Sequence, residues 1–519
     1  MLIHCGKCKL RKSIWRTACF LLLTALTQLE YVRGTEAKNV REATVAGAFY
    51  PGDATQLTAT MDVLLAAVKP AVIDGTILAA VAPHAGYAYS GPVAAYTYAA
   101  LKGHTYKRVV LIAPSHFVSF DFTSVYEGDA YATPLGLVPV DKDFARKLAK
   151  MDPSIQLSDK GHKPTAAGGE HALEVQLPWL QHTLGSFELV PVVMGDQSYQ
   201  SSRALGVALA KLIAEEQQHG PPGETLVLAS SDLSHYHPYY EAVGIDHKTL
   251  AALESWDYYS MARNFESHIW EACGGAPIVA TMIYAERMGA NRSTVLRYAN
   301  SGDVSGDATR VVGYSAALFV KSPVKVGGDA PFSLVAADKR ELLSIARRAV
   351  ESAVGERQQF NPEPSKSEML SHEYGAFVTL TKHGQLRGCI GYTAAMKPLY
   401  LTVRDTATLA ALRDPRFPPV EPGELPELEY EISVLSPLRR VTDLAQIEVG
   451  RHGLLVKNGS HEGLLLPQVP GAFGWDRKTF LEQTCAKAGL PHNCWQSDDT
   501  DIFRFTADVF HEEKPAEGR

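Results

Sequence analysis

A chain of 519 residues exceeds the size at which a single hydrophobic core keeps growing, so two domains are the natural expectation. Hydrophobic residues make up 46% and charged residues 21%, as in ordinary globular proteins. The formal net charge of -7 gives no support for a nucleic-acid surface or an anionic-membrane patch, which leaves small molecules or proteins as the expected partners.

At the N-terminus, Lys7, Lys9, Arg11, Lys12 and Arg16 precede "TACFLLLTAL", a basic and then apolar order like that of a signal peptide. The run is too short to span a bilayer comfortably, and no small-x-small cleavage site follows in "TQLEYVRGTEA". A cytoplasmic mature protein is expected, with an export signal, a short anchor and a misassigned start codon as the alternatives. Cys5 and Cys8 form one C-x-x-C, without the second pair of a zinc ribbon or the βαβ setting of a redox motif. The seven cysteines are too sparse for a disulfide framework, and mostly reduced thiols are expected.

From Val45 onward, apolar runs alternate with segments of helical period. "TILAAVAP", "RVVLIAPS", "FELVPVVMG" and "TLVLASSD" read as buried strands, and "PVAAYTYAALKG" and "SSRALGVALAKLIAEEQ" as helices between them. This order predicts an α/β/α sandwich on a largely parallel or mixed sheet, in which active groups gather beyond the carboxyl ends of the strands. The Pro, Gly and Lys of "KSPVKVGGDAPFS" mark a linker. Beyond it, "DKRELLSIARRAVESAV" and "RKTFLEQTCAKAGL" read as helices and "GAFVTLTK", "LEYEISVLS" and "EGLLLPQV" as strands of a smaller α+β domain. The predicted boundaries are an N-terminal segment 1–40, a first domain 41–321, a linker 322–334, a second domain 335–513 and a tail 514–519.

Four potential metal ligands stand at element ends in the first domain: His84 and His116 after strands, His235 in "SSDLSHYH" and Cys273 in "EACGGAPI". Two imidazoles and a thiolate form a borderline-to-soft donor set, suited to Zn, Fe(II) or Cu(I) and poor for Mg or Ca. Taken singly, each residue also reads as a hydrogen-bonded polar group or small packing. In "EHALEVQLPWL", Glu170, His171 and Glu174 could approach a metal, but the neighbouring apolar face ranks them as residues that orient the pocket. In the second domain, "GQLRGCIGY" places Cys389 near Arg387 and among glycines, which reads as a nucleophile or redox site, or as a turn with a small buried cysteine.

The motifs "AGAFYPGD", "APHAGYAYSG", "APSHF", "TPLG", "GGEHALEVQLPWL", "SSDLSHY" and "CGGAPI" occur in an order that resembles the Memo (mediator of cell motility) family, over about Val45 to Val320. That family is similar in fold to the LigB-like class III extradiol dioxygenases, and the resemblance implies a metal pocket with His84, His116 and Cys273 as ligands. His235 would line the same pocket as a general acid or base, or orient it, with Asp232 close by. Cys273 stands where non-haem Fe(II) oxygenases carry a carboxylate, and Glu271 lies off the motif position, which counts against ring cleavage.

From about 335 to 512, "RGCIGY", "ALRDPRFPPV", "YEISVLSP", "GLLLPQV" and "KAGLP" resemble the AMMECR family. Together the two resemblances imply proteins B and A of an AmmeMemoRadiSam system in one chain, with Cys389 a candidate catalytic residue. The chain has no C-x3-C-x2-C cluster motif, so a separate radical-SAM protein is the expected partner. The expectation is therefore a metal-dependent, dioxygenase-like or redox protein acting on a small molecule or peptide. The alternative is a non-catalytic module that recognises a peptide or protein through the former active-site pocket.

Overall fold

The structure is a computed structural model describing residues 39–69, 71–166, 168–218, 224–323 and 332–512. The signal-like segment with Cys5, Cys8 and Cys19, the middle of the linker and the tail lie outside the described residues. Among those described, no helix is long and apolar enough to cross a membrane.

The four apolar runs form strands β1 (Thr76–Ala82), β2 (Arg108–Pro114), β3 (Glu188–Met194) and β4 (Thr225–Ser230). They are mutually parallel, with β4 inserted between β1 and β2, and β3 outside β2. Their residues alternate between two cores: Val110, Ile112, Val190 and Val227 face one side, and Val109, Leu111, Leu189 and Leu226 the other. A strand with apolar layers on both faces reads as a continuous apolar run, which is why these segments carry no alternation.

Helices α1 (Tyr87–Leu101) and α2 (Gln176–Leu184) cover one face, and α3 (Tyr199–Gln217), α4 (Tyr258–Glu266) and α5 (Gly275–Arg287) the other. α1 opens five residues before the Pro92 that the sequence pattern suggests as its start, because the Tyr87 amide is held by the Phe49 carbonyl at 2.8 Å. β5 (Asp232–His237) follows β4 almost directly. Next come β6 (Arg292–Asn300) and β7 (Val311–Lys321), which pair antiparallel to each other, with β7 also antiparallel to β1 and β5. His235 is therefore inside a strand and not in a terminal loop. The β5–β7 register shifts on both sides of it, and Tyr236 has φ 65°, a left-handed backbone unusual for a non-glycine.

The second domain is built on two antiparallel sheets of four strands each. In the first, β8 (Ala376–Lys382) lies between β9 (Gln385–Tyr392) and β10 (Leu428–Leu435), so "RGCIGY" is a strand and not a turn. Helix α6 (Leu399–Leu412) packs across β8 and β9. The segment "EGLLLPQV" divides into a strand His461–Leu465 and a helix Gln468–Phe473, since Pro467 cannot continue the ladder but is tolerated at a helix start. The expectation of mostly reduced thiols is corrected for one pair: Cys485 and Cys494 are disulfide-bonded, while Cys273 and Cys389 are free. The chain turns through left-handed Gly489 after helix Arg477–Lys487 and brings Cys494 back to that helix, a return that cysteine spacing does not encode.

The domains share a core. Leu435, Leu438, Leu455, Leu466, Phe503 and Phe505 belong to the same apolar cluster as Tyr258, Tyr259 and Ile278 of the first domain. Polar contacts reinforce it: Tyr259 donates to Glu462 at 2.5 Å, and Trp270 Nε1 donates to Glu373 at 2.8 Å.

Candidate metal centre

β1, β4 and β2 are neighbours, so their carboxyl ends deliver His84, Ser230 to Asp232, and His116 to one edge of the sheet. The loop before α2 brings His171 to the same place. The ligand atoms of His84, His116 and His171 all lie within 4.8 Å of one another, a spread that one metal ion can bridge. The ring centroids of His84 and His116 are 5.2 Å apart, and those of His116 and His171 are 4.8 Å apart.

Hydrogen bonding orients two of these rings. Ser230 Oγ donates its single proton to the Ala172 carbonyl at 2.6 Å and accepts from Gln176 Nε2 at 2.8 Å. At 3.0 Å from His84 Nδ1 it can only accept, so Nδ1 carries the proton and Nε2 keeps its lone pair. His116 Nδ1 donates to Glu170 Oε1 at 2.9 Å, which likewise turns its Nε2 outward. This carboxylate–histidine arrangement is the one that holds ligating imidazoles. Glu170 also accepts the amides of His116, His171 and Ala172, at 2.7, 2.9 and 2.9 Å. Burial opposes its ionisation, but His116 and the Ala172 and His116 amides together outweigh that and hold its carboxyl down at about 2.

Electrostatics keep His84 and His171 available as neutral donors. Burial, reinforced by neighbouring His116, lowers His84 to about 3. Burial and His84 together lower His171 to about 4. At His116, burial acts to lower the pKa but is outweighed by Glu170, which raises it. Neutral imidazole is the form that binds a metal.

The sequence reading expected His84, His116 and Cys273 as ligands and set His171 among the orienting residues. The structure places His171 in the group of three and stacks Phe49, from "AGAFYPGD", on its ring at 4.8 Å. Cys273 is not one of those three, but its Sγ lies 3.1 Å from His84 Nε2 and accepts the Asp232 amide at 3.3 Å. Burial and the nearby Asp232 carboxylate push the Cys273 thiol up. Asp232 Oδ1 accepts the His84 amide at 2.7 Å, so its role here is to fix the His84 backbone. Glu174 is engaged elsewhere: it pairs with Arg41 and accepts from Tyr50 at 2.6 Å, pinning the short strand Val40–Arg41.

His235 and Cys273 open on a cavity of about 550 Å³, also walled by Trp270, Glu271 and Phe265. His235 Nδ1 donates to the Leu233 carbonyl at 2.8 Å, which leaves Nε2 as its proton-accepting atom. Glu271 holds His237 at 2.9 Å. His235, His268 and Cys273 thus line a space large enough for a small substrate, and Cys273 links its wall to His84.

At Cys389 the expected activation by Arg387 is corrected. A register shift in β8–β9 at Arg387 sends its guanidinium to Glu424, at 2.9 and 3.1 Å, and away from the thiol. Cys389 Sγ accepts from Thr379 at 3.2 Å, and burial raises its pKa despite Arg416 nearby. The flanking glycines admit protein, not a ligand. A Cβ at Gly388 would lie 2.2 Å from the Ala410 carbonyl of α6, and one at Gly391 2.2 Å from the Phe377 ring.

Fold and site together define a two-domain α/β protein with an imidazole-lined centre at the carboxyl edge of a mixed sheet and a smaller α+β domain packed on one of its layers. The profile for "Memo-like protein" matches residues 41–318, and that for AMMECR1 matches residues 343–510. The chain belongs to the Memo-like family and carries an AMMECR1 domain after it. Among its relatives, the MEMO1 family protein MK0963 of Methanopyrus kandleri is 38% identical over 292 residues, 54% of this chain and 98% of that protein. Protein TK0174 of Thermococcus kodakarensis is 47% identical over 184 residues, 34% of this chain and 90% of that protein. The crystal structure of the uncharacterized protein PH0010 from Pyrococcus horikoshii is 41% identical, covers 34% of this chain and 91% of its own, and superposes with a TM-score of 0.33.

Proposed function

We propose that the protein is a metal-dependent enzyme of the oxidoreductase class, its ion held by His84, His116 and His171 and its substrate a small molecule or peptide in the cavity beside His235. The observation that carries this reading is the convergence of three imidazoles, two of them oriented by Ser230 and Glu170, with Nε2 of His84 unprotonated. Neutral nitrogen donors suit Fe, Zn or Cu, and such an ion would supply Lewis acidity or redox capacity there.

The chain's own residues supply the remainder. His235 offers a proton-accepting Nε2 at the cavity wall, Asp232 holds His84 through its backbone, and Trp270 and Phe265 keep the space apolar. Cys273, beside His84 Nε2, supports a ligand set in which thiolate replaces one imidazole. The joining of a Memo-like and an AMMECR1 domain supports action with a separate radical-SAM protein, in the manner of an AmmeMemoRadiSam system.

Metal analysis of purified protein tests the reading. The expected result is near-stoichiometric metal in the full chain, lost in both His84→Ala and His171→Ala. Ser230→Ala should weaken affinity by about tenfold or more through the freed imidazole. Loss in Cys273→Ser with retention in His171→Ala would replace His171 by the thiolate. Unchanged content in all four variants would refute a metal at this place.

A further inference from the structure

A second cavity, of about 790 Å³, lies between the two domains and shares no lining residue with the space beside His235. Six cations line it, Lys211, Arg287 and Arg292 from the first domain and Arg439, Arg440 and Arg504 from the second, against the carboxylates Glu254 and Glu286. Adjacent carboxylates engage some of them. Asp501 pairs with Arg287 at 3.0 Å and Arg440 at 3.3 Å, Asp498 pairs with Lys211 at 3.1 Å, and Glu286 approaches Arg440 at 3.9 Å. Arg504 contacts His452 at 3.3 Å. Arg292 and Arg439 form no ion pair among the described residues.

Packing cations together with too few anions is costly unless something neutralises them. Burial pushes Arg287 down, with Arg440 adding to it, and burial also lowers Arg439. Five of the six cations are arginines, and their planar forks match phosphate oxygens two at a time. The volume falls within the roughly 300–1,000 Å³ of small-molecule sites.

We propose that this interdomain cleft binds a phosphorylated small molecule, whose phosphates bridge Arg292 of the first domain and Arg439 of the second. Such a ligand would stabilise the docked arrangement of the two domains, because its recognition needs residues from both. Neither arginine belongs to the imidazole centre, so the site stands or falls independently of the metal.

Calorimetric titration of the full chain with inorganic pyrophosphate and, separately, with ADP tests the proposal. Saturable binding is expected, weakened about tenfold or more in Arg439→Gln or in Arg292→Gln, with metal content as in the parent protein. Arg292 is exposed, so its variant reports on binding without threatening the fold. Equal affinity for the two probes supports recognition of phosphate alone, and tighter ADP binding supports recognition of the nucleoside as well. Absence of saturable binding by both probes, or affinity unchanged in both variants, would overturn the proposal.

Discussion

His162 shows how a single buried ring is committed to one protonation state. Its Nε2 is 3.2 Å from the Ser124 carbonyl, which can only accept, so Nδ1 receives the Tyr131 hydroxyl at 2.7 Å. Burial lowers its pKa to about 4. The unfolded chain therefore binds a proton that the folded one refuses between about pH 6.5 and pH 4, and stability falls as pH drops through that window. The stability of the parent protein relative to His162→Gln should decrease by about 1 kcal/mol from pH 6 to pH 5 in chemical denaturation. A difference that stays flat with pH would show that the ring is not held neutral. The same logic at His84 makes Ser230 more than a strand-end residue, since it decides which nitrogen faces the centre.

Among the elements, β9 is the instructive one. Its sequence "RGCIGY" resembles a reactive loop, yet each glycine answers to packing: α6 crosses so closely at Gly388 that no side chain fits, and Phe377 lies across Gly391. Gly388→Ala should destabilise the protein by about 1–3 kcal/mol, measured by thermal or chemical unfolding, because the obstacle is helix backbone and not a movable side chain. An unaffected Gly388→Ala variant would mean that α6 can move away freely. The hairpin joining β8 and β9 places His383 and Gly384 both in the left-handed region, the pairing that a two-residue turn between twisted strands requires. At β5, by contrast, the register shifts and the left-handed Tyr236 fall beside His235. Departures of this kind concentrate at functional positions.

Across the whole molecule, Asp501 is a central polar fastening between domains. Nearly fully buried, it takes Arg203 at 2.5 Å and Arg287 at 3.0 Å from the first domain, Arg440 at 3.3 Å from the second, and the Tyr199 hydroxyl at 3.1 Å. Asp501→Asn leaves three guanidinium groups without their shared anion, and a loss of about 3 kcal/mol or more is expected in denaturation experiments. A loss below about 1 kcal/mol would show that the apolar layer alone holds the domains together. Such a result would also weaken the case for a ligand clamped in the neighbouring cleft.

The two-domain α/β and α+β architecture was legible in the sequence, because strands covered on both faces must be apolar throughout and the linker composition breaks that pattern. So was the convergence of His84 and His116, since residues directly after parallel strands of one sheet share its carboxyl edge. His171 was not, although its motif was visible. Whether a loop histidine turns toward a pocket depends on where Glu170 anchors the loop and where Phe49 packs, contacts made by segments remote in sequence. The disulfide, the diversion of Arg387 to Glu424 and the arginine-lined cleft were equally beyond local reading. Periodicity and composition by themselves determined which segments are buried and how they alternate. Only the tertiary structure decided which nitrogen of each histidine is free and which charges meet, because those depend on distances between residues that the chain separates.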